Sequence, residues 1–159
     1  MNKLLSLLAG LLLFQAAASA ADKLHYDENA DARVGISQAL TTTQHDDKRV
    51  LLVFGANWCP DCRELDKALH GKSQPLIDGK FVVVKVDVGN FDKNLDLAQQ
   101  YPGYGSSIKK GIPAAVVLSA DDHVLYSTKG GELADAGSMG RAVLTISLAR
   151  RCPRPPEFT

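Results

Sequence analysis

The stretch that decides the fold is VLLVFGANWCPDC, residues 50–62. Its first five residues are all apolar, which is typical of a strand covered on both faces, and Gly55 ends that strand. Cys59 and Cys62 follow as a C-x-x-C pair, and they open a predicted helix that runs to about His70. A proline suits the first position of such a helix, because its missing N–H would be unpaired there anyway. A buried strand, a tight turn and a cysteine pair at a helix start together point to thiol chemistry.

The composition describes one ordinary globular domain. The chain has 159 residues, with 18 basic and 18 acidic side chains, 45% hydrophobic residues and 3 cysteines. A formal net charge of zero argues against a surface that binds polyanions, so we do not expect nucleic acid as a partner. Three cysteines are too few for a disulfide-rich scaffold or for a four-thiolate zinc site. Because the count is odd, at least one thiol is unpaired within the chain.

The amino terminus predicts a cleaved secretory signal in residues 1–20. It carries Lys3, an apolar run over residues 4–14 and small residues thereafter, with cleavage expected after Ala20 or Ala21. The apolar run is too short to cross a bilayer comfortably; an uncleaved anchor or a buried helix is the alternative. Cleavage removes only Lys3 among the charged residues and leaves 17 basic against 18 acidic groups. We therefore expect export to the periplasm, with no stable membrane insertion after cleavage.

Predicted helices and strands alternate along the rest of the chain, after a polar, extended lead-in at residues 22–30. The hydrophobic pattern predicts helices at about 31–44, 59–70, 92–100 and 139–149, and strands at 50–54, 81–88, 113–118 and 123–128. This order predicts one α/β domain over residues 21–152, with a mixed sheet of about four to five strands and helices on both faces. A flexible tail is expected at residues 153–159.

The two close cysteines differ in their expected chemistry. At i and i+3 on a helix start, they lie on one face and near enough to bridge. Unpaired N–H groups and the helix dipole favour negative charge at Cys59, so its thiol pKa should fall from about 8.5 toward or below neutrality. Cys62 shares a buried face with Leu65 and Leu69 and should be less exposed. Cys59 is thus the predicted nucleophile, and Cys62 would attack the mixed disulfide in the second step.

Two other uses of a C-x-x-C pair are disfavoured. Such a pair is half of many zinc sites, but no second pair exists, and the 4 histidines show no ligand spacing. A purely structural disulfide is weak here, because so short a loop removes little entropy from the unfolded chain. We therefore expect no metal and no cofactor beyond the redox-active pair itself.

At these residues the chain resembles the thioredoxin family. The match runs through residues 50–62 and resumes at Lys85-Val86-Asp87 and at Gly111-Ile112-Pro113 before a strand. It covers about residues 31–150. The resemblance implies the thioredoxin fold and thiol–disulfide exchange, with Cys59 and Cys62 as the catalytic pair. It also implies client proteins that carry disulfides or thiols, and an electron donor or acceptor that the resemblance does not identify.

The resemblance also implies a substrate-contacting surface beside the pair. Pro113 would take the cis form next to the cysteines and leave the Ile112 backbone free to pair with an extended client segment. The alternative is a trans proline that starts an edge strand. Trp58 would shield the pair and form part of the contact surface, with a plain core aromatic as its alternative.

The strand before the pair departs from the family's pattern. Thioredoxins commonly carry a buried aspartate there, which helps to move the proton of the deeper cysteine, and the matching residue here is Val53. Lys85 matches the lysine that usually accompanies this acid, so it is expected to have lost its partner. Water or another carboxylate would then serve, or exchange is slower; Lys85 as a solvated strand residue is the alternative.

The residues between the cysteines depart as well. Pro60 and Asp61 stand where thioredoxins usually carry glycine and proline. We hypothesise that Asp61 opposes the helix dipole and raises the Cys59 pKa, which favours the reductant side. The alternative is a helix-start acid with little redox effect.

The third cysteine, Cys152, stands beside Arg150 and Arg151. We expect it to be an incidental thiol in a frayed tail and not to form an intermolecular bridge, so we expect a monomer.

The leading function is a thiol–disulfide oxidoreductase on the reductase side. The alternatives are a thioredoxin-like copper metallochaperone, against which the two-residue cysteine spacing speaks, and a redox-inactive binding module.

Overall fold

A computed structural model of the chain describes residues 25–101, 111–128 and 133. Within these residues the helices are α1 (Ala32–His45), α2 (Pro60–Leu69), α3 (Gln74–Asp78) and α4 (Leu95–Gln100). The strands are β1 (Arg49–Gly55), β2 (Phe81–Asp87), β3 (Ala114–Leu118) and β4 (Val124–Ser127). The alternation of helices and strands that the apolar runs predict is therefore present in this part of the chain.

The four described strands form one mixed sheet in the order β2-β1-β3-β4. β1 and β2 are parallel, with Val53 opposite Lys85 and Gly55 opposite Asp87. β3 is antiparallel to both β1 and β4. Every residue of β1 after Arg49 is buried, as expected for a central strand with both faces covered.

Helices cover both faces of this sheet, which confirms the predicted thioredoxin-like architecture. On one face α1 and α4 pack on β1, β2 and β3; the buried side chains there include Ile36, Ala39, Leu52, Phe54, Val86, Leu97 and Val116. On the other face α2 and α3 pack on the sheet through a second set that includes Leu51, Val53, Leu65, Leu69, Ile77 and Val117. The two faces share β1, so this strand holds the layers together.

Two local predictions are wrong, and one helix is not predicted. The lead-in is not extended: residues 25–30 form bends and a turn, and Tyr26 is fully buried. The chain forms α3, which the hydrophobic pattern does not predict because its five residues are too few to show a period. Finally, α4 begins at Leu95 rather than near residue 92, because Phe91 and Asn94 have positive φ angles that no helix accommodates.

Several predictions fall outside the described residues. These are the secretory signal at 1–20, the helix at 139–149, Cys152 and the tail at 153–159.

Candidate active site

The cysteine pair lies at the junction of β1 and α2. Cys59 has extended backbone angles and caps α2, and its sulfur accepts the Cys62 N–H at 3.1 Å. Pro60 occupies the first turn of the helix, where a backbone N–H would have no partner within the helix. The two cysteines form a disulfide with their Cα atoms 5.2 Å apart. An N–H directed at Cys59 Sγ also favours negative charge there when the pair is reduced.

In the oxidised pair, Cys59 is more buried than its position at the helix start suggests. Cys62 is 0% exposed, in line with the prediction that it is the deeper thiol, and Cys59 is only 3% exposed. Leu65 and Leu69 are buried with Cys62, so this face of α2 turns inward as its spacing predicts. A client disulfide therefore reaches the pair only through the small exposed part of Cys59.

The segment before β3 lies directly against Cys59. The Ile112–Pro113 peptide bond is cis, as the resemblance implies, and both residues are buried. The Ile112 carbonyl oxygen lies 3.5 Å from Cys59 Sγ. This contact follows from the sheet, because Ala114, the first residue of β3, pairs with Phe54 near the end of β1.

Trp58 forms an aromatic surface beside the pair. Its side chain is 50% exposed, which rules out the reading as a plain core aromatic. Its indole N–H donates to the Gly89 carbonyl at 2.9 Å, and its ring meets Phe91 edge-on with centroids 5.9 Å apart. Phe91 is itself 39% exposed. Two fixed, half-exposed rings next to a reactive disulfide are a suitable contact surface for an apolar segment.

Lys85 has a partner, which corrects the prediction that it has lost one. Val53 is indeed buried and apolar, but the Lys85 ammonium forms an ion pair with Asp66 of α2. The alternative reading as a solvated strand residue is also wrong, because the Lys85 side chain is only 25% exposed and is paired. β1 therefore lacks an acid at this point, and the carboxylate that pairs with Lys85 comes from α2 instead.

Asp66 collects three basic side chains. Besides Lys85, its carboxylate lies 2.6 Å from His25 Nδ1 and 3.2 Å from His70 Nδ1. Burial alone would raise the pKa of the Asp66 carboxyl, but hydrogen bonds from Lys85 and His25 and the charges of Lys85 and His70 outweigh it. The pKa therefore lies below its ordinary value, and Asp66 is a carboxylate at neutral pH.

The lead-in segment docks against the cysteine loop. Asn57 Oδ1 accepts the Tyr26 N–H at 2.8 Å, and Asn57 Nδ2 donates to the Tyr26 carbonyl and to Glu28 Oε1, both at 2.9 Å. The Tyr26 side chain then passes inward to Gly55. Burial, and then the negative charges of Asp66 and Asp87, raise the pKa of the Tyr26 hydroxyl, so it keeps its proton.

Asp61 lies in the first turn of α2, immediately after Pro60, and is partly exposed. Its predicted effect on Cys59 stays a prediction.

Four residues at the site have no predicted role: His25, Tyr26, Asn57 and Asp66. A signal for Asp66 existed: it stands four residues after Cys62 on a predicted helix, and such residues share a face. No signal marked His25 and Tyr26, because a short polar segment before the first helix carries no period.

The described residues also bear on two other kinds of feature, a metal site and a membrane-spanning helix. Within residues 25–101, 111–128 and 133, no group of three or more His, Cys, Asp or Glu side chains is arranged to hold a metal ion. No helix in this part of the chain is long and apolar enough to cross a membrane.

Comparisons with known proteins agree with this geometry. The family described as thioredoxin-like matches residues 31–120. A disulphide isomerase from Xylella fastidiosa is similar at 50% identity over 82% of this chain and 98% of its own, with a TM-score of 0.76. The germline-specific thioredoxin Deadhead from Drosophila melanogaster is 26% identical over 62% of this chain and 84% of its own, with a TM-score of 0.41. No curated protein sequence matches significantly. Since the family match spans more than half of the chain and contains the cysteine pair, the chain belongs to the thioredoxin-like family and is a thiol–disulfide oxidoreductase.

Proposed function

We propose that this protein reduces disulfides in client proteins, with Cys59 as the attacking thiol and Cys62 as the resolving thiol. The observation that carries the proposal is the disulfide at the amino end of α2, with Cys59 as the cap residue and Cys62 fully buried behind it. Only a thiol at the helix start combines access with stabilisation of a thiolate.

The exchange has two balanced steps. The Cys59 thiolate attacks one sulfur of a client disulfide; a mixed disulfide forms, and the other client sulfur leaves as a thiolate that takes a proton from solvent. Cys62 then loses its proton and attacks Cys59, so that the Cys59–Cys62 bond forms while the bond to the client breaks. The client disulfide gains two electrons and the cysteine pair loses two. An external thiol donor, which is not identified, then reduces the Cys59–Cys62 disulfide back to the dithiol.

Client recognition is expected at the surface around Cys59. The half-exposed Trp58 and Phe91 rings offer apolar contact, and the Ile112 backbone lies against the reacting sulfur. An extended client segment would pair with the Ile112 main chain while an apolar side chain packs on the rings. This mode suits a protein of nearly balanced charge, since recognition then depends little on charged contacts.

The reductase direction and the compartment belong to the same proposal. Asp61, as an acid next to Cys59, would disfavour the thiolate and so favour a reductant. The signal-like residues 1–20 favour export to the periplasm, where client disulfides persist. We expect the exported protein to act as a monomer. Isomerisation is the second candidate, because the neighbour that is half identical is a disulphide isomerase.

The first test is insulin reduction by the purified protein with dithiothreitol as electron donor. We expect the wild type and Cys152→Ser to accelerate the reaction equally, and Cys59→Ser to lose the acceleration. Cys62→Ser should accumulate a mixed disulfide, visible on a non-reducing gel, because the second step has no nucleophile.

Two results would contradict the proposal. One is Cys59→Ser with full activity, which would take the nucleophile away from the pair. The other is a wild type that lacks reductase activity and binds Cu(I) tightly, which would favour the metallochaperone. Recovery of activity from scrambled ribonuclease, without net reduction of insulin, would favour isomerisation.

A further inference from the structure

The loop at residues 88–94, which joins β2 to α4, places an aromatic ring on the surface beside the cysteine pair. Phe91 stands in this loop with a φ angle of 63°, in the left-handed region. A bulky side chain adopts this conformation only at a cost in free energy, whereas asparagine and glycine adopt it more readily. The Phe91 ring is nevertheless 39% exposed, so its burial offsets only part of that cost.

Backbone hydrogen bonds hold the loop in this conformation. The N–H groups of Asp92 and Lys93, the two residues after Phe91, both donate to the Val88 carbonyl oxygen, at 3.2 and 3.3 Å. The chain therefore turns back on itself around Phe91. The loop backbone, and not burial in the core, determines where this ring lies.

Two contacts from outside the loop attach it to the rest of the site. The Trp58 indole N–H donates to the Gly89 carbonyl oxygen at 2.9 Å, and the Lys93 ammonium donates to the Glu28 carbonyl oxygen at 3.2 Å. The first contact joins the loop to the residues before Cys59, and the second joins it to the lead-in segment. The loop is thus held in place without a client, and a preformed surface loses less conformational entropy on binding.

The exposed faces of Trp58 and Phe91 form one apolar patch, which we call the Trp58–Phe91 surface. The ring centroids are 5.9 Å apart and the ring planes lie at 64° to each other, so the rings are not stacked flat. Trp58 is 50% exposed, which leaves both rings free to contact a further side chain. Aromatic rings pack favourably on each other at centroid distances of about 4.5–7 Å, so an aromatic side chain suits this surface.

A client that reacts with Cys59 has to cover this surface. Trp58 directly precedes Cys59, and Cys59 is only 3% exposed, so the client residues next to the reacting sulfur lie against its surroundings. The Ile112 carbonyl oxygen, 3.5 Å from Cys59 Sγ, offers main-chain contact that any client sequence can use. The two rings, in contrast, discriminate between client side chains.

We propose that Phe91 is a specificity-determining residue, which together with Trp58 selects client disulfides that have an aromatic side chain next to the reacting cysteine. The inference rests on the proposed function and deepens it by naming the client chemistry. Phe91 lies outside the stretches 50–62, 85–87 and 111–113 that carry the resemblance to thioredoxins, so the resemblance does not imply this preference.

The test uses two peptides, each joined to its own copy by one disulfide, that differ only in a phenylalanine or a serine next to the cysteine. The reduced full-length protein converts the peptide disulfide to two thiols and is itself oxidised to the Cys59–Cys62 disulfide. The liberated peptide thiol is measured by chromatography after an acid quench. We expect the wild type to reduce the phenylalanine peptide about tenfold faster than the serine peptide.

Phe91→Asn removes the ring and keeps a residue that tolerates a positive φ angle. We expect it to lower the rate for the phenylalanine peptide about tenfold and the rate for the serine peptide less than about twofold. Phe91→Gly, which also adopts this φ angle freely, should behave in the same way, and Phe91→Tyr should keep the preference. The matched control is Leu76→Asn on α3, where a residue of similar exposure (40%) lies outside the Trp58–Phe91 surface. It should retain the wild-type preference.

Three results would overturn the inference. The first is a wild type that reduces the two peptides at equal rates. The second is retention of the preference in Phe91→Asn and Phe91→Gly. The third is a loss of rate by the same factor for both peptides in these variants, which a merely structural role of Phe91 would produce.

Failure of the proposed function gives a different result, because the protein then reduces neither insulin nor the peptides. Binding tests the inference separately. Trp58 is the one tryptophan of the chain, so its fluorescence reports on this surface directly. In full-length Cys59→Ser, a peptide with serine in place of its cysteine should bind more tightly when it carries the phenylalanine. Adding Phe91→Asn should abolish that difference, and equal binding of the two peptides before this change would contradict the inference.

Discussion

Gly55, at the end of β1, shows how tightly one residue is constrained at this site. A Cβ at this position would meet the Tyr26 hydroxyl and would lie 2.9 Å from Cys62 Sγ. Both neighbours are fully buried, so neither has open space to move into. The absence of a side chain at Gly55 is therefore what admits Tyr26 to the redox site.

We predict that Gly55→Ala lowers the free energy of unfolding by about 1–3 kcal/mol through overpacking. Gly35 is the matched control, because a Cβ there meets only Val84 Cγ1, at an ordinary 3.6 Å. Gly35→Ala in the interior of α1 should raise stability by about 0.5–1 kcal/mol. Urea unfolding of the oxidised proteins measures both. If Gly55→Ala and the wild type have equal free energies of unfolding, Tyr26 can be displaced at no cost and the prediction is wrong.

At this scale, sequence reasoning succeeds where a residue follows a local pattern. Pro60 and Cys59 occupy the helix start that the C-x-x-C spacing predicts. It fails for Lys85, because an ion pair joins residues that are close only after folding. The expected loss of a partner assumed that the acid must stand on β1, whereas the carboxylate comes from α2.

The lead-in segment is held to the cysteine loop by one side chain. All three hydrogen bonds of the Asn57 amide go to Tyr26 and Glu28. Hydrogen bonds of this kind contribute about 1 kcal/mol each, so their loss weakens the attachment of a segment that is otherwise held by the buried Tyr26 ring and the His25–Asp66 pair. Release of Tyr26 would uncover Cys62.

We predict that Asn57→Ala opens this segment locally while the domain remains folded. In the reduced protein, alkylation of Cys62 and hydrogen exchange of the Tyr26 amide should both accelerate roughly tenfold. Thr41→Ala, which removes a hydroxyl bonded to Ser37 on the surface of α1, is the control and should change neither rate. Unchanged exchange at Tyr26 in Asn57→Ala would show that other contacts hold the segment.

Among the elements, length and burial decide what sequence reasoning predicts. β1 and β3 each contain a continuous apolar run, β2 contains one that Lys85 interrupts, and α2 has both a start signal and a buried face. These elements are therefore predicted within about two residues. The five-residue α3 is too short to show a period, and the lead-in is fixed by a side chain 31 residues away in sequence. Such long-range hydrogen bonds leave no local pattern.

At the scale of the molecule, the carboxyl end of β1 gathers the site from distant parts of the chain. The lead-in at Tyr26, the start of α2 at Cys59 and the start of β3 after Pro113 all meet there. The resemblance to thioredoxins predicts the second and third of these. It does not predict the first, because the lead-in precedes the residues that the family shares.

Asp66 of α2 pairs with His25 of the lead-in and with Lys85 of β2, so its charge state should influence the stability of the whole domain. The pKa of Asp66 is lower in the folded protein than in the unfolded chain. A carboxyl of this kind stabilises the fold fully above its unfolded pKa, which is about 3.9, and this contribution disappears as the pH falls through the folded value. The contribution of Asp66 to stability is therefore lost progressively as the pH falls below about 5.

We predict that the wild type loses more stability than Asp66→Asn between about pH 5 and pH 2, because only the wild type can protonate a carboxyl that Lys85 and His25 hold ionised. Urea unfolding at several pH values, with the Cys59–Cys62 disulfide intact, gives the two curves. Asp78→Asn, at an exposed position at the end of α3, is the control and should follow the wild type. Because the ion pair bridges α2 and β2, the curves should converge in acid. Parallel curves would mean that Asp66 contributes the same stability whether or not it is charged.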